Sequence, residues 1–255
     1  MKLHVREWGS GDRLAVLVHG ITSDSAGWWR FGPDLASRGY RVLAPDLRGH
    51  GVSPRGRYGA EEWAADVLES VPAEPELALG HSLGGIVLAV AVERLRPGRA
   101  VYEDPAWHVR PDRHEAQVRE FTAQKGWGRA QVEAANPRWP EEDVSRKLAA
   151  LASWDPATAS DLLTGAEWDF TPARPVVPSL VLLADPSELV PPARAERLRE
   201  AGFEVRTVPG AGHSIHRDDY DGFLAGLEGW LAPARRPGGW ELLINNGLTD
   251  TNECT

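Results

Sequence analysis

Gly80-His81-Ser82-Leu83-Gly84 lies between two apolar runs of different character. Before it, Glu76-Leu77-Ala78-Leu79 reads as a short buried strand. After it, Gly85-Ile86-Val87-Leu88-Ala89-Val90-Ala91-Val92 reads as an apolar helix. A serine at a strand-to-helix turn, with glycine two residues to either side, has the form of a nucleophile elbow. The tight turn strains the serine backbone, the glycines remove side chains that would collide, and the hydroxyl projects above the sheet. The pentapeptide alone is weak; its strand-turn-helix setting is strong.

Working outward, strand and helix signals alternate. Leu14 to Val18 is a continuous apolar run suited to a buried parallel strand, and Arg41 to Ala44 is the next, closed by Pro45-Asp46. Trp28 to Arg38 reads as the helix between them, ending at Gly39. Helices are expected at 61–70 and 84–96, and a strand at Ala100-Val101-Tyr102. Strand signals return at Leu180 to Leu183 and Phe203 to Val208, with a helix at 192–201 between them and a last helix over about 218–231. This alternation predicts an α/β fold with parallel crossovers in a mostly parallel, doubly wound sheet.

The rhythm stops after Pro105. Residues 106–175 read as helical without strands and carry Trp107, Trp127, Trp139, Trp154 and Trp168. The expected organisation is a core of 1–105 and 176–232, with 106–175 as a helical lid. The stretch 233–255 carries no periodic signal beyond a short Trp240 to Ile244 run, and reads as an expression-derived or poorly ordered tail.

The chain has 255 residues, enough for one α/β domain with a large core, and a formal net charge of -9. That acidity argues against nucleic acid or an anionic membrane surface as a partner. The single cysteine, Cys254, excludes an intrachain disulfide and a cysteine-based metal site. Met1 to Arg6 has no apolar signal core, and no apolar run is long enough to span a bilayer. The default expectation is a cytoplasmic protein. No metal, nucleotide or organic cofactor is signalled.

An elbow serine needs a base, a group that orients the base, and donors for an oxyanion. The base candidate is His213, on the small-residue loop Pro209-Gly210-Ala211-Gly212-His213-Ser214 after the last strand. Loops at the carboxyl ends of parallel strands share one edge of the sheet, so His213 can reach Ser82. His216 and His50 read as structural, and His81 is expected to point away from the pocket. The oxyanion donors are expected to be the backbone N–H groups of Leu83 and Ile21.

Together, His19-Gly20 after a strand, Pro45-Asp46-Leu47-Arg48-Gly49-His50-Gly51, the Ser82 elbow and Gly212-His213 resemble the α/β-hydrolase fold superfamily over roughly residues 1–232. The resemblance implies a Ser-His-acid triad. In most members the acid follows the strand here placed at 180–183. Aligned on Val190-Pro191, that slot holds Ser187, with Asp185 and Glu188 beside it. A second arrangement puts the acid after the strand that follows the elbow helix. There Glu103-Asp104-Pro105 resembles haloalkane dehalogenases and zearalenone-type lactone hydrolases. Asp104 is therefore the expected acid, with Asp185 and then Glu103 as alternatives. Dehalogenases carry an aspartate nucleophile at the elbow, which this chain replaces with Ser82.

The expected activity is hydrolysis of a small apolar carboxylic ester or lactone. Amide, thioester or carbon–carbon hydrolysis on the same triad is the alternative. A non-catalytic ligand-binding protein on this scaffold, like the hormone receptors of this fold, is a further one. Trp28 and Trp107 are named as pocket-wall candidates.

Overall fold

The computed structural model describes residues 1–108, 111–163 and 169–232. The expected tail and Trp168 lie outside them. The sheet follows the order β1-β3-β2-β4-β5-β6-β7. Its strands are β1 (Val5–Trp8), β2 (Arg13–Val18), β3 (Tyr40–Pro45), β4 (Leu77–His81), β5 (Ala100–Glu103), β6 (Ser179–Leu183) and β7 (Glu204–Thr207). β1 pairs antiparallel with β3, and every other pairing is parallel. The interior strands β4, β5 and β6 are buried along their whole length, which is why their sequences are mostly apolar, with polar residues only at their ends. β1 was not expected. It is a half-buried edge strand, Val-Arg-Glu-Trp, whose short charged sequence carries no core signal.

Helices cover both faces. Strand residues alternate between two cores, as the period-2 geometry requires. Val16, Ala78, Tyr102 and Val181 face α2 (Ala60–Ser70), α3 (Leu83–Leu95) and α8 (Pro192–Glu200). Leu17, Leu79, Val101 and Leu182 face α1 (Phe31–Ser37) and the C-terminal helices. The expected last helix is two pieces, α9 (Ile215–Asp218) and α10 (Tyr220–Gly226). Asp219 leaves helical geometry between them, and its carboxylate accepts the Gly222 N–H at the start of α10.

Between β5 and β6 stands a helical insertion, α4 (His114–Gln124), α5 (Arg129–Ala135), α6 (Glu141–Ser153) and α7 (Ala157–Leu163). Among the described residues it adds no strand, only an isolated bridge between His108 and Asp169. Lys125 on the turn after α4 donates to the carbonyls of Leu151, Ala152 and Trp154, closing the C-terminal end of α6. No described helix is long and apolar enough to cross a membrane.

Candidate active site

β2 and β4 lie side by side, and the chain departs to opposite halves of the sheet after them, so their carboxyl ends flank a topological switch point. Val18 pairs with Gly80, which brings His19-Gly20-Ile21 beside His81-Ser82. Ser82 has φ +53° and ψ −113°, a conformation L residues rarely adopt. Only glycine fits around it. A Cβ at Gly80 would stand 2.2 Å from the Gly84 carbonyl oxygen, and a Cβ at Gly84 would stand 2.2 Å from that of Val18. The Leu83 N–H that follows is among the unpaired donors of the first turn of α3.

The neighbouring Gly20–Ile21 turn is held by two buried histidines. His19 Nδ1–H donates to the Gly20 carbonyl at 2.8 Å, while its Nε2 accepts the Leu47 N–H at 3.0 Å. Burial lowers the His19 pKa, consistent with the neutral ring this pairing needs. His50 Nε2–H donates to the Ile21 carbonyl at 2.6 Å, and burial depresses its pKa to about 3. His50 thus fixes the peptide beside the expected oxyanion donor.

His213 meets Asp104 across 109 residues of chain, with Nδ1 2.7 Å from Oδ2. Asp104 is 1% exposed and sits at φ +36° after β5. Its other oxygen accepts the Ser187 hydroxyl at 2.6 Å, and Ser187 Oγ in turn accepts the Val190 N–H. The residue in the late acid slot therefore braces the early acid. The His213 side chain is 46% exposed. Burial opposes its charged form, but the hydrogen bond and charge of Asp104, with Glu103 and Asp218 behind, outweigh that and raise its pKa above the ordinary histidine value.

The other acid candidates go elsewhere. Asp185 is exposed and accepts the Gly210 N–H at 3.2 Å. Glu103 is fully buried and accepts both the backbone N–H and the Nδ1–H of His216, at 3.0 and 2.8 Å. Three expectations need correction. His81 does not point away: its ring lies 4.8 Å from that of His213, its Nε2–H donates to the His213 carbonyl, and it lines the cavity. Trp28 is not a wall residue but a core residue whose ring lies tilted against that of His216, with centroids 4.5 Å apart. Trp107 is likewise buried, donating its indole N–H to the Gly85 carbonyl and packing on Tyr102. Both indoles fill the gap between sheet and helix, where large apolar rings are best desolvated.

Ser82 and His213 stand where two cavities meet, and Ile21, Phe121 and Gly212 belong to both. One, of about 490 Å³, has an apolar wall of Leu83, Ile86, Ala106, Leu162, Pro186 and Leu189. The other, of about 410 Å³, is walled by Trp127 and Trp139 from the insertion together with polar and charged groups, among them Thr22, Arg138, Lys147, Arg217 and Asp218. Sequence reading places Ser187 in the late acid slot but gives it no role, and it does not single out Lys147. A signal for Lys147 exists: Asp143, Val144, Lys147, Ala150 and Leu151 recur at helical spacing and form the buried face of α6. Among the described residues no cluster of histidine, cysteine or carboxylate groups could hold a metal ion.

A family model described as "Alpha/beta hydrolase family" matches residues 15–225, so the chain belongs to that family. It is 27% identical to the N-formylmaleamate deformylase of Pseudomonas putida over 91% of this chain and 93% of that protein. It is 32% identical to the pimeloyl-[acyl-carrier protein] methyl ester esterase of Methylococcus capsulatus over 69% of this chain and 68% of that protein. Among solved structures, the enol-lactonase from Burkholderia xenovorans superposes with a TM-score of 0.71 at 25% identity, covering 90% of this chain and 96% of that one.

Proposed function

We propose that this member of the α/β-hydrolase family is a serine hydrolase of carboxylic esters or lactones, with Ser82 as nucleophile, His213 as base and Asp104 as the acid. The observation that carries the reading is the 2.7 Å contact between His213 Nδ1 and buried Asp104, on a histidine that shares both cavities with the elbow serine. Ser82 Oγ attacks the carbonyl carbon as His213 Nε2 takes its proton. Asp104 holds the Nδ1–H tautomer and stabilises the imidazolium. The N–H groups of Leu83 and Ile21 receive the oxyanion, each worth about 2.7–4 kcal/mol in the transition state. His213 then protonates the departing alkoxide, and water repeats the sequence on the acyl-enzyme to release the acid and restore Ser82. The apolar cavity takes the hydrocarbon part of the substrate, and residues 106–175 act as a lid over a core of 1–105 and 176–232.

A second reading, amide hydrolysis on the same triad, is favoured by the similarity to a deformylase along nearly the whole chain. A 4-nitrophenyl ester series from acetyl to dodecanoyl, run beside N-formyl amides with Ser82→Ala as the blank, tests both. Ester turnover that disappears in Ser82→Ala, with an optimum at short to medium chains, is the expected result. Turnover of the amides alone would replace the ester reading with the second. Turnover of neither, with ligand binding unchanged by Ser82→Ala, would favour a binding protein on this scaffold.

A further inference from the structure

Three cationic side chains, Arg138, Lys147 and Arg217, and one carboxylate, Asp218, line the polar cavity among the described residues. Arg217, 6% exposed, lies 3.6 Å from Asp143 and stacks over the Trp139 ring. Arg138 lies 3.9 Å from Asp218. That leaves Lys147, 7% exposed and reaching from α6 of the insertion to the oxyanion-side turn. Its ammonium donates to the Thr22 carbonyl and the Thr22 hydroxyl, both neutral. Among the described residues no carboxylate forms an ion pair with it; Asp143, one turn away on the same face of α6, is turned to Trp29 and Arg217 instead, and Arg217 repels the ammonium. A buried ammonium without an ion-pair partner is costly, and an anion entering the cavity would offset that cost. Burial, with Arg217, accordingly depresses the Lys147 pKa to about 7.

We infer that Lys147 and Thr22 form a carboxylate site and that the substrate is an acid-bearing ester or lactone, with one free carboxylate in the polar cavity and its scissile carbonyl at Ser82. This rests on the serine-hydrolase reading and narrows its substrate class. The site is one residue from Ile21, so the anion sits close to the reacting carbonyl. An ammonium with a hydroxyl beside it supplies the charge-assisted hydrogen bonds a carboxylate accepts. The apolar cavity on the other side of Ser82 takes the remainder of the molecule.

Two measurements test the site separately from the chemistry. The first is calorimetric titration of the Ser82→Ala protein with glutarate and with glutaramide, its neutral analogue, at pH 6.5 and constant ionic strength. Glutarate is expected to bind at least tenfold more tightly, with the preference lost in Lys147→Met. Equal or undetectable binding of the two overturns the inference, as does inorganic phosphate binding as tightly as glutarate. The second compares mono(4-nitrophenyl) glutarate with 4-nitrophenyl butyrate on the unmutated enzyme. The kcat/KM ratio is expected to favour the acid-bearing ester at least tenfold and to fall at least tenfold in Lys147→Met. A ratio at or below one overturns the inference, and so does a Lys147→Met variant that slows both esters equally, which would make Lys147 a support of the oxyanion turn. If neither ester is hydrolysed, the serine-hydrolase reading fails while the glutarate titration still decides the anion site. If Lys147→Met does not fold, the comparisons on the Ser82→Ala and unmutated proteins stand without it.

Discussion

Asp104 directly follows β5 and Ser187 lies on the loop after the paired strand β6, and the two side chains meet. In this chain the Ser187 hydroxyl donates a hydrogen bond to the carboxylate that meets His213. If Asp104 is the acid, Asp104→Asn should lower kcat about 10³- to 10⁴-fold, because an amide presents the wrong hydrogen-bonding partner to His213. Ser187→Ala should cost about tenfold, the worth of one hydrogen bond to a charged group. Asp185→Asn should leave kcat near that of the parent protein, since Asp185 serves the Gly210 amide. Steady-state kinetics on the three variants orders them, and a larger loss at Asp185 would reassign the acid. The pH profile follows with its sign. The base must be neutral and its pKa is raised, so kcat/KM is lost as pH falls through a value above the ordinary histidine value of about 6.5. Asp104→Asn removes the main cause and moves that acid limb to lower pH. Glu103 is a separate case. Glu103→Leu strands the two buried donors of His216, at a cost of roughly 2–6 kcal/mol, to be read as a lowered midpoint of thermal or urea unfolding.

At the scale of elements, the β4–Ser82–α3 unit is a strained turn kept in place by close backbone packing. Ser82 N–H donates to the Glu103 carbonyl, and the Ser82 carbonyl accepts from Gly85 and Ala106, so β5 and α3 clamp the strained residue from both sides. Adding one methyl at Gly84 drives it into the Val18 backbone, which cannot yield without separating α3 from β2. Gly84→Ala should therefore destabilise by about 3 kcal/mol or more, seen as a lower unfolding midpoint with a matching loss of soluble protein. These glycines were legible because the constraint is local to five residues. Helix α6 was legible as a helix but not as a contributor to the cavity. Its buried face carries Asp143 and Lys147 among apolar residues, and only its docking on Thr22 and Trp29 shows what those charges meet.

For the whole molecule, the described chain closes on itself through cations at the sheet edge. Arg99 donates to the carbonyls of Trp230 and Ala232, and Arg13 to that of Leu231. A chain cut after Ala232 keeps these contacts. On the proposed division it should unfold at nearly the same temperature and hydrolyse 4-nitrophenyl esters at the parental rate; a large fall in either would place 233–255 within the functional unit. The interior strands could be read directly, because a strand buried on both faces is mostly apolar, with buried polar groups such as Glu103 only at the ends. Edge strand β1 escaped because half of it faces water and two of its four residues are charged. The split at Asp219 escaped because a capping aspartate inside an amphipathic run resembles a surface residue until its partner amide is known.

The sequence by itself determined the parallel α/β core, the helical insertion and the strained serine. Each is a consequence of burial periodicity or backbone sterics acting over a few residues. Only the tertiary structure decided which carboxylate faces His213, that Ser187 braces it, that Trp28 and Trp107 belong to the core, and that Lys147 lines a cavity with no ion-pair partner among the described residues. Those outcomes depend on contacts between residues up to 188 positions apart, as between Trp28 and His216. Hydrogen-bond geometry and desolvation there are set by how strand ends and helices pack, which no local pattern of residues encodes.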